Sequence, residues 1–153
     1  MFRIAGVTAM MLVALTGCDS NKSDFLAGCE SAIKDTLRSP SGYKQINVEY
    51  VTRELTYEAY TQYIGKEATS KLYKTQIDAL KSGKNNPLLL QATVEFDAPN
   101  AFGTPVRGMS ICEYVVTGKG QKVIAPLIKV NGKTKTDLLA DQVREQARDL
   151  LSK

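Results

Sequence analysis

The chain of 153 residues contains no histidine. The side chain most often used as a general base near neutral pH, and the commonest zinc ligand, is therefore missing. Hydrolytic triads in their usual form are excluded. The sequence also lacks a glycine-rich phosphate loop and the spaced acids of a calcium loop. Carboxylates do occur, as at Glu95 and Asp97. These two alternate with apolar neighbours on the wet side of a predicted strand, where solvated acids belong. Cysteine is scarce, with Cys18, Cys29 and Cys112 only. Together these absences predict a noncatalytic protein with no metal site and no cofactor.

Long apolar runs are scarce too, and the clearest lies at the N-terminus. Arg3 supplies a positive start, residues 4–15 form an apolar centre, and the small residues Thr16 and Gly17 precede Cys18. The run is shorter than the roughly 20 residues of a membrane-spanning helix, and it has no polar face at helical spacing. Leu15-Thr16-Gly17-Cys18 after such a run resembles the leader of a bacterial lipoprotein precursor; an ordinary secretory signal is the competing reading. The resemblance covers about the first eighteen residues. It implies cleavage before Cys18, a lipid on the sulfur and amino group of Cys18, and attachment to a membrane. In enterobacterial lipoproteins that resemble this one, Asp at the position of Asp19 favours retention in the inner membrane, facing the periplasm. Most other residues there allow sorting to the outer membrane, and Ser20 weakens the signal.

Cleavage would remove 17 of the 153 residues, with Arg3 from a formal net charge of +4 and three of the four methionines. The remainder suits one ordinary domain. Residues 18–23 are expected to be a lipidated polar tether, Asp19-Ser20-Asn21-Lys22-Ser23 following Cys18, and residues 24–153 a single domain. With Cys18 carrying lipid, Cys29 and Cys112 form an even pair in a compartment where disulfides persist. They are expected to bond to each other and to close a loop of more than eighty residues. Two buried free thiols are the alternative.

Apolar spacing supplies the fold class. Phe25, Cys29, Ile33 and Leu37 recur every four residues over 24–38, which predicts a helix ended by Ser39-Pro40-Ser41-Gly42. Ile46, Val48 and Tyr50 alternate with polar residues as a strand, and Leu88, Leu90, Ala92, Val94 and Phe96 do so more clearly. Residues 106–117 read as a third strand, apolar on both sides and therefore central, with Cys112 on the face of Val106, Tyr114 and Val116. A fourth strand is expected over 121–130, where Pro126 argues for an edge or a bulge, followed by an Asn131-Gly132 turn. From Thr136 a stripe of Leu138, Leu139, Gln142, Val143, Gln146, Ala147, Leu150 and Leu151 predicts a closing helix capped by Thr136 or Asp137. The expected architecture is α+β: an antiparallel meander of about four strands covered by the N- and C-terminal helices, with a helical insertion between the first two strands.

Three segments carry candidate contacts. Residues 97–108 form a connection rich in Pro and Gly that also holds Asn100, Phe102 and Arg107. Phe102 either stands exposed as a recognition residue or folds under the sheet as core, and Asp97 and Arg107 are placed to pair across the hairpin neck. The insertion over 53–84 contains Tyr57, Tyr60 and Tyr63, read either as packing rims of a helical crossover or as exposed partner contacts. Lys119, Lys122, Lys129, Lys133 and Lys135 form a basic run without an acid, which suits solvated turns or anionic lipid headgroups. No aromatic is interleaved with these lysines, and nucleic acid is not an expected partner. The expected partners are a membrane, through the lipid, and another protein of the cell envelope. One specific version is an exclusion or inhibitor lipoprotein of phage or plasmid type; a carrier of a small ligand or lipid is a further alternative.

Overall fold

The computed structural model describes residues 20–65, 71–82, 86–118 and 120–151. Cys18 and Asp19, the leader before them, Gly83-Lys84-Asn85 and Lys119 lie outside the described residues. The first helix, α1 (Ser20–Thr36), buries Phe25, Cys29 and Ile33 completely, as their four-residue spacing requires. It begins earlier than expected, so Ser20, Asn21, Lys22 and Ser23 of the expected tether are helical. Polar residues suit an exposed first turn as well as a linker, and polarity alone does not separate the two. The Lys22 ammonium lies 5.0 Å from the centre of the Tyr50 ring, which fixes this turn to the sheet.

Four strands follow in the order β1 (Lys44–Glu54), β2 (Leu88–Pro99), β3 (Pro105–Val116) and β4 (Lys129–Val130). Every neighbouring pair is antiparallel. Leu90, Ala92, Val94, Phe96 and Ala98 of β2 share one face with Cys112, Tyr114 and Val116 of β3, and α1 lies over them. Cys29 and Cys112 are joined by a disulfide across 83 residues of sequence, with Cα atoms 5.8 Å apart. The bond fastens the middle of the helix to the middle of the sheet. The molecule is thus an α+β fold, an antiparallel meander with flanking helices and a helical insertion between β1 and β2.

That insertion is α2 (Tyr57–Ile64) and α3 (Lys71–Lys81), and it covers the opposite face of the sheet. Leu55, Tyr60, Ile77 and Leu80 pack there against Leu89 and Val115. The consecutive leucines at the start of β2 make this possible, because neighbouring residues on a strand point to opposite faces. The cover extends over only one end of the sheet. Towards the β2–β3 turn the same face is open, and Met109 is 68% exposed.

Two elements depart from the sequence expectation. Residues 121–130 do not form a full strand: only Lys129 and Val130 pair with β3, and Ala125–Leu127 make a tight helical turn. Pro126 has no N–H to give to a ladder. The turn instead drives Ile128 into the core beside Gly28, where an added Cβ would lie 2.6 Å from Ile128 Cδ1. The chain then reverses at Asn131 and Gly132, both with positive φ, and Asn131 N donates to Ile111 O while Asn131 Oδ1 accepts from Ile111 N.

The second departure is α4 (Lys135–Leu151), which has no buried residue. The apolar stripe expected to close the core leaves Leu139, Val143, Leu150 and Leu151 each more than half exposed. Its start is firmly built. Thr134 N and Oγ1 donate to Asp137 Oδ2, and Asp137 N donates back to Thr134 Oγ1. The cap is therefore Thr134, with Asp137 as the returning residue, and not Thr136 or Asp137 as its sequence suggested.

Candidate functional site

The β2–β3 hairpin presents the most exposed aromatic side chain of the domain. Asp97 and Arg107 are direct partners in the ladder, and the Arg107 guanidinium donates to Asp97 Oδ1 at 2.6 Å and Oδ2 at 3.3 Å. It also reaches Glu95 Oε1 at 2.9 Å. The hydrogen bond from Arg107, reinforced by its charge and by Lys44 and opposed by partial desolvation, holds the Asp97 carboxyl below its ordinary value. Arg107 is raised in turn, first by Asp97 and then by Glu95. Both carboxylates accept ion-pair hydrogen bonds from Arg107.

Above that neck the loop is held by Asn100. Its Oδ1 accepts from Phe102 N at 2.9 Å and Thr104 N at 3.0 Å, its backbone N donates to Thr104 O, and its carbonyl accepts from Gly103 N. Gly103 closes the turn at φ 79°, a left-handed conformation that disfavours a side chain. The product of this bonding is Phe102, 91% exposed at the tip. Asn100 and Arg107 therefore belong to the frame, while Phe102 is what the frame displays.

The open half of the sheet adds residues that sequence reasoning did not select. Met109 and Ile111 stand two apart on β3 on the same face as Arg107, and both are exposed. The apolar residues on both sides of β3 were a signal, but one read as marking a central strand. Cover by α2 and α3 reaches Val115 and not Ile111, and that difference lies in the path of the insertion.

The three tyrosines lie at the other end of the β2–β3 pair and do not join this surface. Tyr60 is 1% exposed, and its hydroxyl donates to Gln76 Oε1 at 2.7 Å. Burial, with a smaller effect of Tyr73, pushes its pKa up to about 12. It is a packing residue and not an exposed contact. Tyr57 and Tyr63 are half-buried, each against a lysine: Lys81 is 5.1 Å from the Tyr57 ring centre and Lys129 is 3.8 Å from that of Tyr63. Lys129 Nζ also donates to Tyr63 O at 2.7 Å, so this member of the basic run serves the fold. Lys133 and Lys135 pair with Asp141 and Asp35.

Beside these tyrosines a cleft of about 540 Å³ opens between the insertion, the end of β3 and the start of α4. Ile64, Val115, Ile124 and Leu127 supply its apolar lining, and Gln76, Gln121, Lys129, Thr134 and Asp137 line its polar side. Gln76 Oε1 is occupied by Tyr60, and Gln121 Oε1 accepts from Thr117 N and Oγ1. Burial, and next the charge of Glu113, raises the Tyr63 phenol.

Among the described residues no three of His, Cys, Asp and Glu converge on a point where they could hold a metal ion, and no helix is long and apolar enough to cross a membrane. No protein-family model matches this sequence, and no curated protein and no solved structure matches it significantly.

Proposed function

We propose that this chain is a noncatalytic bacterial lipoprotein, anchored through Cys18, whose stapled domain binds another protein of the cell envelope through the β2–β3 hairpin. The observation that carries the reading is Phe102, exposed on a turn whose bonds are supplied by Asn100 on one side and by the Arg107 neck on the other. Aromatic residues, Met and Arg are enriched in protein interfaces, and this hairpin places Phe102, Met109 and Arg107 together at one end of the sheet. A prearranged loop loses little conformational entropy when a partner covers it. The leader and the disulfide both suit export into an oxidising compartment. Asp19 favours the inner membrane, facing the periplasm. An exclusion or inhibitor lipoprotein is the specific version in which the bound partner is blocked without any turnover.

The test is crosslinking and pull-down from intact cells, comparing the lipidated chain with Phe102→Ala and Cys18→Ser. A discrete partner that is lost with Phe102→Ala and weakened with Cys18→Ser is expected. Capture that survives Phe102→Ala would move the interface elsewhere, and capture unaffected by Cys18→Ser would remove the anchor from the account.

The cleft favours a second reading, a carrier of a small ligand. Its size lies within the range of small-molecule sites, and its mixed apolar and polar lining suits a ligand with a polar end and an apolar body. Native mass spectrometry of protein taken from the envelope would show a bound small molecule lost in Leu127→Arg. Identical spectra without any adduct would end this reading.

A further inference from the structure

The two edges of the sheet are treated differently. Along β3, the outer edge is engaged by β4 at Cys112 and Glu113 and by Asn131 at Ile111. Strand β1 pairs with β2 alone, and among the described residues no other element bonds to the backbone of residues 44–54. Its one irregularity is at Gln45/Asn47, and from Val48 to Glu54 the pairing is regular. A long regular open edge is a template for another strand unless charges oppose it. Here the charges need particular attention: Glu49 and Arg53 sit two residues either side of Val51 on one face, and Val51 is 57% exposed. Neither Glu49 nor Arg53 makes a salt bridge within the described residues.

We propose that two copies of this chain pair antiparallel through the outer edge of β1, about a two-fold axis at Val51. In that register Glu49 of each copy faces Arg53 of the other, Tyr50 faces Thr52, and Val51 meets Val51. Directly opposed residues in an antiparallel pair point to the same face, so the faces continue from copy to copy only when the axis passes through a residue. An axis at Glu49 or Arg53 sets like charges opposite each other. An axis at Tyr50 or Thr52 leaves both charges without an opposite partner. The Val51 register alone among these pairs both charges and covers the exposed valine. The described helices of the insertion, α2 and α3, pack over Leu89 and Val115 and not across this edge. The axis stands normal to the sheet, so both α1 helices lie on one face. Lys22 over Tyr50 places the beginning of each α1 near that axis. Two chains anchored at their N-termini in one bilayer fit this arrangement, although the pairing does not depend on the anchor.

Residue 51 is the position that meets its own copy, and this gives the test. In membranes holding the full chain, Val51→Cys should yield a disulfide-linked dimer on a nonreducing gel, judged against the parent chain to account for Cys18. Val48→Cys should not, since its counterpart lies about 20 Å away along the strands. In the Val51→Cys background, Glu49→Arg should abolish the dimer band, and Glu49→Arg with Arg53→Glu should restore it. Sedimentation of the unaltered chain in mild detergent should give a dimer mass, which keeps the test independent of any variant. A monomer mass, equal crosslinking at 48 and 51, or indifference to the charge reversal would overturn the proposal. None of these outcomes depends on Phe102, so the pairing can fail while the hairpin reading stands.

Discussion

Gly108 on β3 lies opposite Phe96 on β2, and a Cβ built at Gly108 would come within 2.8 Å of Phe96 Cζ and 2.9 Å of Cε2. The aromatic ring occupies the space that a side chain at 108 would need. In an unobstructed strand, Gly→Ala gains roughly 0.5–1 kcal/mol from the reduced entropy of the unfolded chain. Here overpacking against a buried ring opposes that gain at about 1–3 kcal/mol, and the net sign is destabilising. Chemical denaturation of Gly108→Ala should show the loss, and Gly108→Ala with Phe96→Leu should lose less than the two single changes added together. Strict additivity would mean that the ring is not the obstacle.

Reduction of the Cys29–Cys112 bond should lower the melting temperature by on the order of 10 °C. A closed loop of 83 residues corresponds to on the order of 4 kcal/mol in the chain-entropy account. Scanning calorimetry with and without reductant measures this, and superimposed transitions would show that α1 is held by packing alone.

Asp97 links the hairpin neck to pH. Its carboxyl is depressed in the folded chain, chiefly by the hydrogen bond from Arg107, so its contribution to stability is present above about pH 4 and is lost as pH falls through the folded value. In Arg107→Met, carboxyl NMR should find the Asp97 pKa returned towards 3.8. An unchanged titration would separate Asp97 from its assigned partner.

The end of α4 should be dispensable for stability. Residues 143–151 are all exposed, so a chain ending at Gln142 should unfold within about 1 kcal/mol of the full one. A loss of several kcal/mol in urea denaturation would mean that Val143, Leu150 and Leu151 are covered in solution.

Much of the candidate surface was legible by residue and not by role. Asn100, Phe102 and Arg107 stood out from a loop rich in Pro and Gly, and the Asp97–Arg107 pair followed from strand register. Their division of labour did not follow, because a sequence does not say whether an aromatic at a turn points inward or outward. Asn100 settles it by binding the backbone N–H of Phe102 and Thr104, which turns the ring out.

Local order was determined by sequence wherever a short-range period carried it. The four-residue spacing of Phe25, Cys29 and Ile33 and the alternation along β2 are both consequences of neighbours along the chain. Tertiary structure alone decided what covers what. It laid α2 and α3 over Leu89 and Val115, left Met109 and Ile111 open, drew Ile128 in beside Gly28, and left the stripe of α4 without a partner. An apolar face states that burial is favourable, but which faces are buried depends on the paths of elements distant in sequence, and those paths are set by the shape and number of surfaces competing for the same core.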